Sequence, residues 1–218
     1  MKKRTIALLL AVVMLFGATV GGTIAWLTAK TNEVNNTFVV GDIEIDLDEA
    51  EVINGVVTTP EKRVKANEYK MIPGATYFKD PTVHVLEGSE ECYVFVEVIE
   101  TNNTYNTDDK VIQYTVDTTN WELVETTTEG NVVTTVYMYK ETLEAGESTE
   151  SVLAITDEVS ITVNCDVTKT ELEAMDEGST EPELDFVAYA IQKDNLTVTA
   201  AADIWALAKT ATEVTPNP

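Results

Sequence analysis

The chain changes character near its start, where an uncharged apolar segment gives way to a regularly alternating one. Basic residues at positions 2–4 precede a run without charge at positions 5–29, and this order is typical of a secretory signal peptide. The small residues Thr23 and Ala25 occupy the −3 and −1 positions, so we expect cleavage between Ala25 and Trp26. The alternative is an uncleaved anchor, because a run of 25 uncharged residues is enough to span a bilayer.

The segment that follows alternates with period two, as expected of a strand with one face in a core and the other in water. Its apolar and acidic positions alternate as Val39, Asp42, Ile43, Glu44, Ile45, Asp46, Leu47 and Asp48. A polar stretch at residues 26–36 separates this strand from the expected cleavage site. Once the signal peptide is removed, that stretch becomes a free N-terminal arm.

The length and the acidic charge of the chain limit what it can be. Without the 25-residue signal peptide, 193 of the 218 residues remain, enough for one sizeable domain. The net charge is −24, and removing three bases and no acids lowers it to −27. We therefore expect no nucleic-acid partner, because phosphate binding requires a basic surface. The dispersed acidity favours a solvated surface that resists nonspecific aggregation.

Valine, isoleucine, threonine and aromatic residues recur in short runs between turn residues, which favours an all-β fold. We predict strands at residues 75–86, 92–99, 111–116, 121–126, 132–139, 151–155, 159–167 and 185–192. Residues 92–99 and 185–192 are apolar on both parities, so both are predicted to be central strands. Asp80 and Pro81 interrupt the first run and place it at a sheet edge. This spacing favours a β-sandwich or a closed barrel over an α/β arrangement. Our hypothesis, together with the family resemblance given below, is a jelly-roll-like β-sandwich.

One or two short helices are expected late in the chain. Thr170 and Glu173 have capping-box spacing, which predicts a helix over residues 170–175 with Thr170 as its N-cap. Residues 200–209 combine helix-forming composition with apolar residues at helical spacing. Residues 210–218 are predicted to be a flexible tail.

Cys92 opens a predicted strand, and Cys165 ends the alternating apolar set Ile161, Val163 and Cys165, so both cysteines could point inward. An even number of cysteines in an oxidising exterior makes a disulfide between them a candidate. The alternative is two buried thiols, because sequence does not fix the distance between their Cα atoms.

Groups for catalysis or metal binding are scarce. His84 is the only histidine, so zinc sites that need two histidines cannot be built. A Ser-His-Asp triad would need the same residue, and the sequence has no Gly-x-Ser-x-Gly motif. Calcium would be best placed in the acidic loop at residues 176–183, because alternate carboxylates on a strand stand about 6.6–7 Å apart. We expect no enzyme activity, no cofactor and no dedicated metal site.

Three stretches carry a resemblance to a known family. GGTIAWLT followed by NNTFVVGDIEIDL (residues 21–47) resembles the start of the TasA/camelysin family. EYKMIPGATYFKDPTVHV (residues 68–85) is similar to the Lys-x-x-Pro-Gly turn of that family, and FVAYAIQKDNL (residues 186–196) is similar to its late strand. Together these stretches cover about a third of the chain.

The resemblance implies a secreted biofilm-matrix protein of a Gram-positive bacterium, processed by a SipW-type signal peptidase. Its TasA-like β-sandwich would span residues 37–209, and the protein would touch the membrane only through its signal peptide before cleavage. Such subunits polymerise when the N-terminal arm of one copy adds a strand to the sheet of the next. The candidate donor residues are Trp26, Leu27, Val34, Phe38 and Val39.

Alternative hypotheses about the arm, the partners and the function stay open. The arm of a monomer could fold on its own chain, and other matrix proteins are candidate partners besides a second copy. The alternative functions are a secreted camelysin-type peptidase and a monomeric adhesin or ligand-binding β-sandwich.

Overall fold

The computed structural model describes residues 42–212 without positions 54, 58, 60, 61, 107, 108 and 179. The strands are β1 (Ile45–Ala50), β2 (Val52–Ile53), β3 (Val56–Val57), β4 (Arg63–Val64), β5 (Thr76–Tyr77), β6 (Thr82–Val85), β7 (Cys92–Thr101), β8 (Thr104–Tyr105), β9 (Asp109–Lys110), β10 (Ile112–Tyr114), β11 (Trp121–Glu129), β12 (Val132–Tyr139), β13 (Ile161–Val163) and β14 (Glu183–Gln192). The helices are α1 (Lys169–Gly178) and α2 (Ala201–Thr212). Our predictions for the signal peptide, its cleavage site, the donor arm and most of the tail lie outside the described residues.

The largest sheet contains four antiparallel strands in the order β11-β12-β7-β14. Strand β7 is central, as predicted, and it is apolar on both faces because each face meets a different core. Val94, Val96 and Val98 face the main core, while Phe95 faces a second one. Two smaller sheets, β4-β1-β6 and β10-β13-β5, supply the other side of the main core. This layered arrangement confirms the predicted all-β, sandwich-like fold with two short helices.

The alternation predicted for the first strand is confirmed in β1. Ile43, Ile45 and Leu47 all pack against the main core, and β1 pairs antiparallel with β6 in the register Ile45 to Val85. The alternating pattern therefore places one face of this strand against the other layer of the sandwich.

Helix α2 covers the outer face of the large sheet. Trp205 is 1% exposed, and its ring centroid lies 5.3 Å from that of Phe95 and 5.1 Å from that of Tyr189. Ile204 and Met138 complete this second core. The helix predicted at residues 200–209 is thus confirmed, and it explains why Tyr189 and Ile191 of β14 are apolar on the face away from the main core.

Three predictions about individual elements are wrong. Strand β14 pairs only with β7 among the described strands, so residues 185–192 form an edge and not a central strand. Residues 75–86 form two strands in different sheets, β5 and β6, and not one strand; the predicted interruption at Asp80 and Pro81 and the edge position are confirmed, since each strand lies at the edge of its sheet among the described strands. Residues 151–155 form an isolated bridge, Val116 to Leu153, and not a strand.

The first helix begins earlier than predicted. The N-cap of α1 is Thr168, whose hydroxyl accepts from the backbone N–H of Glu171 at 3.3 Å. The Glu171 carboxylate accepts in turn from the Thr168 backbone N–H at 2.8 Å, which completes a capping box. Thr170 and Glu173 have the same spacing but lie inside the helix. None of the helices in the described part of the chain is both long and apolar enough to cross a membrane.

Candidate functional site

A groove of about 920 Å³ runs beside β14, and we call it the β14 groove. Residues 183–186 of β14 line one side, and residues 47–49 of β1 together with residues 65–69 line another. Ile112, Ile161–Val163 and Tyr77 belong to the opposite layer of the sandwich and are reached through the groove. Its apolar lining residues are Leu47, Tyr69, Met71, Tyr77, Ile112, Ile161, Val163, Leu184 and Phe186. Strand β1 lies beside β14 at this point, but no hydrogen-bonded ladder joins the two strands in the described structure. The groove opens there towards the main core.

The two edge strands of the large sheet differ in how they are protected. Strand β11 carries Glu122, Glu125 and Glu129 and has a β-bulge between Leu123 and Glu125. Charged residues and bulges of this kind discourage another strand from pairing with an edge. In β14, by contrast, residues 186–191 are uncharged, and its register with β7 runs without a shift from Glu183 to Gln192. Among the described residues, positions 186–191 of β14 therefore form the more regular and less charged of the two edges, although Glu183 and Asp185 lie at the start of the strand.

A buried ion pair lies in the wall of the groove. The Lys79 ammonium donates to Glu49 Oε2 at 2.6 Å, and the two side chains are 11% and 6% exposed. The same ammonium lies 5.4 Å from the ring centroid of Tyr69 and 5.3 Å from that of Phe186, within cation–π range. Burial, followed by the charge on Glu49, raises the pKa of the Tyr69 hydroxyl above its usual value. Glu49 Oε1 is buried and has no hydrogen-bond partner in the described structure.

The groove is lined by both apolar and charged side chains, and its net charge is negative. Its lining contains the seven carboxylates of Asp48, Glu49, Glu68, Asp176, Glu181, Glu183 and Asp185, against the two ammonium groups of Lys65 and Lys79. Both lysines already have partners, because Lys65 pairs with Asp46 and Lys79 pairs with Glu49. A ligand for this groove would therefore combine apolar side chains with a hydrogen-bond donor or a positive charge.

Arg63 fixes the end of β1 next to the groove. Its guanidinium binds Asp48 Oδ1 at 2.7 Å and Asp80 Oδ2 at 2.5 Å, and it also donates to the backbone carbonyls of both residues. Burial opposes the charge on Arg63, but the hydrogen bonds to the two aspartates outweigh it and raise the pKa of the guanidinium. Glu49 follows Asp48 in the chain, so the two ion pairs of Arg63 also restrain the position of Glu49.

The only histidine belongs to a row of side chains that crosses neighbouring strands. His84 Nδ1 lies 2.6 Å from Ser148 Oγ, and His84 Nε2 lies 2.9 Å from Asp48 Oδ1. If Nε2 carries the proton, His84 donates to Asp48 and Nδ1 accepts from the Ser148 hydroxyl, which are the contacts of a Ser-His-Asp triad with the two ring nitrogens exchanged. Ser148 is exposed, and neither Ser148 nor His84 lines the β14 groove.

The two cysteines do not form the disulfide considered above. Both are free thiols, and Cys92 is buried while Cys165 is exposed. The expectation that both point inward is therefore wrong for Cys165, which lies in the turn that follows β13. Burial, aided by the charge on Glu91, raises the pKa of the Cys92 thiol to about 11. Across the described ranges, no cluster of three or more histidine, cysteine or carboxylate side chains could hold a metal ion.

Comparison of the chain with protein-family models, with curated proteins and with solved structures gives no match. Function is therefore inferred from the geometry of the β14 groove and from the sequence.

Proposed function

We propose that this protein is a secreted, non-enzymatic subunit of an extracellular matrix fibre, and that its copies join by strand donation. In this proposal, the arm of one mature chain adds to the open edge of β14 in the next copy and lays its apolar side chains in the β14 groove. A contact of this kind between unlike surfaces does not close on itself, so it produces a filament. The resemblance to the TasA/camelysin family supports the same function.

The observation that carries the proposal is the regular edge of β14, uncharged at residues 186–191, next to a groove that has both apolar and acidic lining residues. An edge strand exposes unpaired backbone N–H and C=O groups, which readily pair with another chain. The ten residues of β14 span about 33 Å at about 3.3 Å per residue. The arm at residues 26–36 and the five residues that follow it span about 53 Å when extended, so together they are long enough to cover this edge.

Export would control when assembly starts. The arm gains a free end only when the signal peptide is removed, which we assign to a SipW-type signal peptidase between Ala25 and Trp26. Inside the cell, the uncleaved segment would keep the arm from entering the groove of another copy. Fibres would then form only at the cell surface or in the matrix, where other matrix proteins are candidate partners.

A synthetic peptide of residues 26–41 tests this proposal without altering the protein. The peptide should occupy the groove and cap growing ends, so fibre growth of the mature chain, followed by light scattering, should fall as peptide is added. A peptide with the same composition in scrambled order serves as the control. Equal inhibition by both peptides, or by neither, would contradict strand donation by the arm.

The row of Ser148, His84 and Asp48 supports a second candidate function, ester or peptide hydrolysis. A histidine that accepts the serine proton would make Ser148 a stronger nucleophile. Asp48 is shared with Arg63, however, and the groove that could hold a substrate does not include Ser148. Labelling with a fluorophosphonate probe decides this point: labelling that is lost in Ser148→Ala would support hydrolysis, and an unlabelled protein would leave these residues as cross-strand hydrogen bonds.

A further inference from the structure

Glu49 is an exception among the residues that line the β14 groove. It is 5% exposed, and one carboxylate oxygen receives Lys79 while the other, Oε1, has no partner in the described structure. A buried acceptor without a donor is unfavourable, and such groups in folded proteins are rare enough to need an explanation. The position of Oε1 in the wall of the groove allows a donor on the ligand of the groove to be its partner.

The sequence of the arm points to one such donor. Its largest apolar residues fall mostly on even positions, namely Trp26, Val34, Phe38 and Val40, and Lys30 lies on the same parity. Alternate residues of a strand share one face, so an arm that lays its even face in the groove also directs Lys30 inward. In that arrangement Glu33, which is the only acid in residues 26–41, would lie on the opposite face and would avoid the acidic lining.

We propose that Lys30 of the incoming arm donates to Glu49 Oε1, and that this ion pair sets the register of strand addition. This inference rests on the proposed function. Lys30 is the only basic side chain in residues 26–41, and it would enter a lining with seven carboxylates and two lysines that are already paired.

A specific contact is needed to fix the register of the added strand, because apolar and polar residues alternate only weakly in the arm. A slip of two residues keeps the same face inward, so the apolar side chains alone discriminate poorly between neighbouring registers. Such a slip would bring the neutral side chain of Thr28 or Asn32 to Glu49 in place of Lys30, so Oε1 would lose its charged donor while Oε2 keeps Lys79. Buried charged or polar groups of this kind are best known for specifying alignment between chains.

The test measures the critical concentration for fibre formation by the mature chain. Lys30→Gln removes the charge in the arm, outside the described core, and should raise the critical concentration by about tenfold to 100-fold, the range for a lost charge-assisted hydrogen bond. Lys30→Arg should stay within about threefold of the wild type, because it keeps the charge and the donors. Lys169→Gln, on the exposed surface of α1, makes the same change in net charge and should have no effect.

A charge exchange then identifies the partner. Lys30→Glu should abolish assembly, and the double variant Lys30→Glu with Glu49→Lys should restore it, because the carboxylate introduced in the arm would then face two cations. Circular dichroism and a thermal melt establish that the Glu49→Lys variant is folded, and a mixture of the two single variants provides the same pairing between different copies. Rescue in either format supports the pair, and failure of both formats with folded protein contradicts it.

The failure of this inference differs from failure of the proposed function. If Lys30→Gln assembles at the wild-type concentration while deletion of the arm still prevents assembly, strand donation stands and the pair between Lys30 and Glu49 is wrong. If the wild-type mature chain forms no fibres, the proposed function fails, and the pair fails with it.

Discussion

Replacing Val187 by lysine should weaken fibre growth, although it makes an acidic protein less acidic. Val187 lies in the middle of β14, is 38% exposed, and stands opposite Glu97 of β7. Lysine on an edge strand is a common means of preventing further strand addition. At the same time, Val187→Lys moves the mature net charge from −27 to −26, so general charge repulsion would change in favour of assembly.

The structure indicates how large each effect should be. Loss of the buried part of Val187 costs about 1–2 kcal/mol of folding free energy at most. A cross-strand pair between the new lysine and Glu97 returns about 0.2–1 kcal/mol. The domain should therefore stay folded, since folded domains have about 5–15 kcal/mol of stability. Packing a donor strand against the lysine should cost about 1–2 kcal/mol, which raises the critical concentration about fivefold to thirtyfold.

Leu123→Lys is the matched control for this prediction. Leu123 is 62% exposed on β11, the other edge of the same sheet, and its replacement makes the same change in charge. Critical concentrations are read from sedimentation after assembly reaches equilibrium, and thermal melts report folding of both variants. The reasoning is refuted if Val187→Lys assembles like the wild type, or if Leu123→Lys inhibits assembly to the same extent.

Three further predictions concern the fold. Trp205→Ala should lower the free energy of unfolding by about 3–5 kcal/mol, because a fully buried ring is lost from the second core. Leu207→Ala, on the exposed side of α2, should lower it by under about 1 kcal/mol. Urea denaturation measures both losses, and equal losses would contradict the placement of α2. In thiol titration at about pH 8, below the usual thiol pKa, only the exposed Cys165 should react in the native protein, and Cys92 should react after unfolding. Because the pKa of Cys92 is raised from 9.0 to about 11, its stabilising contribution is complete below pH 9.0 and is lost as the pH rises towards 11; stability that is constant across this range would be inconsistent with the buried thiol.

The elements predicted best from sequence are those whose pattern has one physical cause. Two apolar faces predict that β7 is central, and the run at residues 132–139 matches the bounds of β12. Residues 185–192 show the limit of the same reasoning. Their second apolar face packs against α2 and not against another layer of strands. Two apolar faces therefore indicate that a strand is buried on both sides, but they do not determine how many strands pair with it.

The candidate site is less accessible to sequence analysis because residues distant in the chain build it. Glu49 shares its parity with Ile45 and Leu47, and this acidic residue on an apolar face is the signal that could have revealed it. Its partner Lys79 is 30 positions away, and only the folded structure brings the two together. Likewise, Ser148 lies 64 positions from His84, and no local motif announces their hydrogen bond.

The measurement that tests the central claim most directly compares the mature chain that begins at Trp26 with a truncated chain that begins at Thr37. Both are examined by electron microscopy and light scattering over a series of salt concentrations, after circular dichroism has established that both are folded. We predict fibres only from the chain with the arm, and faster growth at higher salt, because a charge of −27 opposes association until it is screened over about 8 Å at physiological ionic strength. The same fibres at the same rate from the truncated chain would contradict strand donation by the arm.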